Sequence, residues 1–145
     1  MKFLLALTTL FTAAVLLTAA GAPTVVTYVH HDKVSATMAK GGAIIEDPGG
    51  LRVLAQRRGV GEAEVHATTN HVFIIVEGDA TFVTGGTLAG AKQTAPDQIR
   101  ASSIQDGQTH HLTKGDVITV PAKTPHWWKE VQTQTIAYYA VNTEN

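Results

Sequence analysis

Short runs of alternating apolar and polar residues, cut by glycine and proline, fill the chain from about residue 50 onward. Period-two alternation is the signature of a strand with one face on a core. Leu51, Val53 and Ala55 alternate, so Leu51 to Arg58 reads as a strand. Gly59-Val60-Gly61 breaks it, and Glu62 to Ala67 is a second short alternating run. His71 to Glu77 is rich in β-formers and apolar on both faces. Gly78-Asp79 turns the chain into Ala80 to Thr84, which Gly85-Gly86 ends. Leu88 to Gln98 carries glycine, proline and polar residues and reads as a surface loop. Ile99 to Ile104, His110 to Leu112, Val117 to Val120, Trp127 to Val131 and Thr135 to Val141 complete the set. About eight or nine short strands with turn signals every 8–12 residues predict an all-β sandwich or barrel.

One helix is expected, over His31 to Lys40. Asp32 is its N-cap, Val34 and Met38 lie one turn apart, and Gly41-Gly42 stops it. Before it, Gly21 to Val29 is β-branched and extended, and Asp47-Pro48-Gly49-Gly50 makes a turn after it.

The first twenty residues follow a different pattern. Met1-Lys2 is a positive start, Phe3 to Leu17 is almost wholly apolar, and Thr18-Ala19-Ala20 puts small residues at a cleavage site before Gly21. That is the layout of a secretory signal peptide; an uncleaved membrane anchor is the alternative, since the run approaches spanning length. The domain reading is a signal peptide at 1–20, an N-terminal segment with the short helix at 21–50, and a barrel domain at 51–145. The mature protein is expected to be exported, periplasmic or extracellular, and off the membrane once cleaved.

Composition narrows the function. In 145 residues, 44% are apolar, enough for a packed core. A net charge of −1 with no basic stripe argues against a nucleic-acid partner. The absence of cysteine excludes disulfides, thiol catalysis and thiolate metal sites. Seven histidines then stand out.

Glu64 and His66 are two apart, so on a strand they share a face about 6.6 Å apart. His71, five further on, joins them only if Ala67-Thr68-Thr69-Asn70 turns or bulges. His126 follows Pro121 and Pro125 and would be a sequence-distant fourth ligand. Three imidazoles and a carboxylate suit zinc, iron, manganese, nickel or copper. Read from spacing alone, partly exposed or ordinarily hydrogen-bonded histidines are the favoured reading. His110-His111 read as a solvated strand end, and His30-His31 as exposed.

Two stretches, Gly59 to Gly78 and Gly115 to Glu130, resemble the two motifs of the cupin superfamily. The first family motif contains His-x-His, three or four residues, Glu, six residues and Gly. Here Glu64 stands at the first His, His66 at the second, His71 at the Glu, and Gly78 keeps the closing spacing. The second motif is matched by Gly115, Pro121 and His126, with Lys123 replacing a turn Gly and Glu130 replacing an Asn. The resemblance covers about residues 50–141. It implies a double-stranded β-helix, a jelly-roll barrel with a metal in its mouth. The exchanged residues are all competent ligands, so the implied set is Glu64, His66, His71 and His126 around one divalent ion.

With that barrel, Phe73, Ile75 and Trp128 are expected to wall a pocket, and Trp127 to face a second sheet or a subunit interface, as in a homodimer. Arg57 and Arg58 fall on opposite faces, so one of them can point inward as an anion clamp. Glu77 or Glu130 is a candidate general base if it faces inward. Lys123 would be strained if it kept the left-handed turn, and a different turn is expected there. The expected activity is that of an exported metal-dependent cupin acting on a small carboxylate- or carbonyl-containing molecule. A non-catalytic cupin that binds or senses a small ligand is the alternative.

Overall fold

The helix forms over His31–Lys40 (α1), but its cap is His30 rather than Asp32. His30 Nδ1 accepts the Asp32 N–H at 3.4 Å. Asp32 therefore lies in the first turn, where its charge favours the positive end of the helix dipole. Gly41, at φ 76, ends the helix, a conformation that a residue with a side chain resists. The computed structural model describes residues 23–144, so the signal peptide predicted at 1–20 lies outside the described residues. Among the described residues no helix is long and apolar enough to cross a membrane.

Strands follow the helix. β1 (Gly42–Glu46), β2 (Arg52–Arg58), β3 (Ala63–His66), β4 (Thr69–Glu77) and β5 (Asp79–Thr84) come first. β6 (Thr87–Ala89), β7 (Lys92–Ala95), β8 (Gln98–Ala101) and β9 (Ser103–Gln105) form the middle. β10 (Gln108–Thr113), β11 (Val117–Val120), β12 (His126–Val131) and β13 (Ile136–Glu144) complete the fold. One sheet has the order β1-β2-β13-β4-β11, the other β10-β5-β12-β3-β8-β7, and β6 pairs with β9. Crossovers between the two antiparallel sheets make the double-stranded β-helix: the pattern predicted an all-β sandwich or barrel, and the resemblance implied this jelly roll.

Three readings of the chain change. The region read as a loop over 88–98 contributes the end of β6, all of β7 and the start of β8. β7 is an edge strand, almost wholly exposed, so nothing in its side chains alternates. The single strand expected over 99–104 is divided at Ser102, whose N–H and hydroxyl both bond Ala89 O. β1, which the pattern left out, is the other sheet's edge and draws residues before 51 into the barrel.

Gly78 makes the switch between sheets possible. At φ +99, a Cβ there would lie 2.6 Å from the Thr135 carbonyl oxygen. The core it closes is aromatic: Phe73, Phe82, Trp128 and Tyr138 are all buried between the sheets. On the outer face of β2 and β13, Met38 of α1 packs on Ala55 and Ala137. The apolar alternation of Val53 and Ala55 thus faces the helix, and the even positions of β2 face the barrel interior.

Lys123 does keep the left-handed turn, at φ 66, contrary to the expectation of a different turn. The cost is about 1–2 kcal/mol. Its N–H donates to His66 O at 2.7 Å, fastening the turn to the end of β3. That bond is made by the backbone, which accounts for the turn surviving the exchange of residue type.

Candidate metal centre

β3 and β4 are consecutive in sequence but belong to opposite sheets. The chain bends at Ala67-Thr68 and crosses the barrel mouth. The odd spacing from His66 to His71 therefore brings both side chains inward from two walls. His126 opens β12, directly opposite Glu64 on β3, so these two share a face. Ring centroids lie 5.0 Å apart for His66 and His71, 5.2 Å for His71 and His126, and 5.8 Å for His66 and His126. One nitrogen from each ring lies within 4.8 Å of the others. This set of three closes without Glu64.

Hydrogen bonds decide which nitrogens face the centre. His126 Nδ1 lies 3.0 Å from Thr124 O, a carbonyl that can only accept, so Nδ1 carries the proton. His71 Nδ1 likewise donates to Asn142 Oδ1 at 2.8 Å. In a neutral ring the Nε2 atom is then a bare lone pair. Among the described residues, three buried side-chain polar atoms lack a hydrogen-bond partner: Asp79 Oδ1, His71 Nε2 and His126 Nε2. Each such atom costs about 1–3 kcal/mol.

Glu64 stands beside the three rings. Its Oε1 is 3.6 Å from His126 Nε2 and its Oε2 is 3.9 Å from His66 Nε2. Gln98 Nε2 donates to Oε2 at 2.9 Å, and Arg100 Nη2 is 3.7 Å away. Burial pushes this carboxyl up, but His126, His66 and Arg58 outweigh it and hold the pKa at about 2. A bare imidazole nitrogen facing a carboxylate places two acceptors together. Only a proton or a cation between them makes the pair favourable, and the donor set of neutral imidazoles and one carboxylate fits a divalent ion.

Burial lowers the pKa of His66, and lowers that of His71 to about 4 despite the bond to Asn142. Both rings are neutral ligands at neutral pH. The unfolded His71 titrates near 6.5, so between about pH 6.5 and 4 the unfolded state binds the extra proton. Stability tied to neutral His71 is complete above 6.5 and is lost as pH falls through that window. The metal-free protein should lose on the order of 3 kcal/mol there. Urea denaturation at stepped pH measures it, and the slope should flatten in His71→Gln. A wild-type profile without slope in that window would refute the shift.

A cavity of about 310 Å³ is lined by Glu64, His66 and His71, and His126 is not on its wall. β2 lines it with Arg52, Leu54, Gln56 and Arg58, β8 with Gln98 and Arg100, and β13 with Tyr138, Ala140 and Asn142. Of the expected wall residues, Phe73 lines it. Ile75 and Trp128 do not, because both lie deeper in the aromatic core. The candidate bases are also corrected. Glu77 is on the surface, bonded by Arg57 at 2.6 Å, and Glu130 is exposed at the β-bulge of β12. Arg58, not Arg57, is the inward member of its pair. Trp127 is half-buried and donates from its indole to Gly61 O. His110 bonds Thr84, and His111 and the His30-His31-Asp32 trio are exposed, away from the cavity. Arg52, Gln56, Gln98, Arg100, Tyr138 and Asn142 were not singled out from sequence as site residues. Strand parity with Arg58 was the available signal for Arg52 and Gln56.

Residues 49–145 match the family model for Cupin. The chain belongs to the cupin family. Solved structures agree on the fold. The cupin chain is 14% identical to BH2720 from Bacillus halodurans, at TM-score 0.58, over 88% of this chain and 87% of that one. A double-stranded β-helix protein from Klebsiella pneumoniae subsp. pneumoniae gives 14% identity and TM-score 0.50, over 71% and 74% of the two chains. The iron(II) form of HppE gives 14% and 0.53, over 70% of this chain and 49% of that one, so this cupin spans about half of HppE. At such identities the likeness concerns the fold. No curated protein sequence matches the chain.

Proposed function

We propose that this cupin is exported and holds one divalent cation through His66, His71, His126 and Glu64, acting there on a small carboxylate- or carbonyl-containing molecule. The observation that carries the reading is the pair of buried Nε2 lone pairs, His71 and His126, with no hydrogen-bond partner. The description of HppE, a protein of the same fold, as an iron(II) form supports it. A bound ion would supply Lewis acidity or activate water or dioxygen. The chain's own residues do the rest. Thr124 O and Asn142 hold two rings in the ligating tautomer, and Gln98 fixes the Glu64 carboxylate. Phe73, Leu54 and Ala140 keep part of the cavity wall apolar.

Metal analysis of protein purified without a histidine tag tests the reading. The expected result is close to one divalent ion per chain, with Glu64→Gln weakening binding about tenfold at unchanged fold. Protein that carries no ion and gains no thermal stability from added zinc, iron or manganese would overturn it.

One observation favours a second reading, a cupin that binds a ligand without turning it over. Glu64 is the one carboxylate lining the cavity among the described residues, and both candidate bases face outward. Turnover of carboxylates or carbonyl compounds supports the enzyme. Thermal stabilisation by the same compounds without product supports the binder.

A further inference from the structure

Three arginines line a cavity of about 310 Å³, and their charges are not equally spent. Arg52 Nη2 lies 3.0 Å from Glu144. Arg100 lies 3.5 Å from Glu62 and 3.7 Å from Glu64. Among the described residues, Arg58 has no carboxylate within 4 Å. Its neighbour is the Tyr138 hydroxyl, itself on the cavity wall. Its electrostatic partner is Glu64, which lies beyond ion-pair distance and is already engaged by His126, His66 and Arg100, so a ligand carboxylate in the cavity would supply the direct counterion that the protein does not.

Space has been made for this guanidinium. A Cβ on Gly61 would collide with Arg58 Nη2 and come within 3.0 Å of its Cζ. Gly61 has no positive φ, so its backbone does not require glycine. Its neighbours also hold the loop in place: Trp127 Nε1 donates to Gly61 O at 2.7 Å, and Gly61 N–H donates to Trp128 O. The missing side chain at 61 is therefore explained by the passage of Arg58 and by nothing in the turn.

We infer that Arg58, seated against Gly61 and beside Tyr138, is the binding group for a carboxylate of the cavity's ligand, which is a small organic acid. The inference rests on the reading of this cavity as the ligand site. It deepens that reading by fixing the ligand's charge and the residues that select it. A planar guanidinium presents paired N–H donors that match a carboxylate's two oxygens. The volume is at the small end of ligand pockets, so an acid of a few carbons fits and a large one does not. Tyr138 offers a third donor to the same group.

The test uses acetate, malonate and succinate, with succinamide as the uncharged control, titrated calorimetrically into the wild type, Gly61→Ala and Arg58→Met. Gly61→Ala keeps every charge and displaces only the guanidinium. At least one of the acids should bind the wild type, and both variants should weaken it at least tenfold. Arg58→Lys should fall between, and succinamide should not bind. Equal acid affinities in the wild type and both variants would overturn the inference, as would a wild type that binds none of the three acids. Metal content is measured on the same samples. A wild type without metal whose acid binding still depends on Arg58 removes the metal reading and keeps this one. Unchanged metal with Arg58-independent binding does the reverse.

Discussion

His126→Ala should lower affinity for a divalent cation more than a hundredfold. Three ring nitrogens lie within 4.8 Å of one another, and this change removes the most enclosed of the rings, 2% exposed. It also strips the Glu64 carboxylate of the group opposite it on β12. Changes to the groups that orient ligands typically cost 10–100-fold in affinity, and losing a ligand should exceed them. Asn142→Ala supplies that comparison. It leaves all three rings and removes the acceptor 2.8 Å from His71 Nδ1, so His71 is free to take the wrong tautomer. Its expected loss is about 10–100-fold. Zinc titration against a competing chelator reads both, with circular dichroism to check the fold. A His126→Ala protein that holds zinc as tightly as the wild type would refute the site.

Much of the barrel was legible because its strands have one dry face. β11 was read at its true ends, and β4 and β12 to within two residues, since buried β-branched and aromatic residues mark them. β7 was not legible, because an exposed edge strand gives its side chains no reason to alternate. β2 was legible as a strand but not for its orientation. Val53 and Ala55 lie on the α1 face while Arg52, Gln56 and Arg58 share the cavity face with Leu54, the reverse of a simple core-facing strand. A pattern reports which face is dry, and here a helix dries the outer one.

The candidate ligands were visible for a related reason. Glu64 and His66 sit two apart on a strand, and parity alone puts them together. His71 needed the crossing at Ala67-Thr68, which spacing permits but does not specify. The floor and wall of the cavity were harder. Tyr138-Tyr139 and Trp127-Trp128 are adjacent aromatic pairs, and which member turns inward depends on register. Register comes from pairing with distant strands, such as Trp128 opposite Phe82 and Tyr138 opposite Gln56. Depth is harder still: parity places Trp128 on the His126 face but does not tell a cavity wall from the layer beneath it.

Trp128 therefore makes the second large prediction, and it concerns stability before chemistry. Its ring is stacked on Tyr138 at 4.8 Å and lies 4.4 Å from Phe82 and 5.9 Å from Phe73. It is 2% exposed, with core aromatics from both sheets against it. Trp128→Ala should cost about 3–5 kcal/mol, because the packed sheets cannot fully collapse into the space it leaves. Trp128→Phe keeps an aromatic face for Tyr138 and should cost less than half as much. Urea denaturation of the metal-free protein measures both without interference from ligand binding. A cost below about 1 kcal/mol for Trp128→Ala would return this residue to the cavity wall, where a truncation opens onto solvent and leaves no void. Phe73 and Tyr138 lean on Trp128 and also line the cavity, so the alanine variant should bind metal more weakly even under conditions where it remains folded. The same aromatic layer that closes the core sets the depth at which His126 and His71 present their nitrogens.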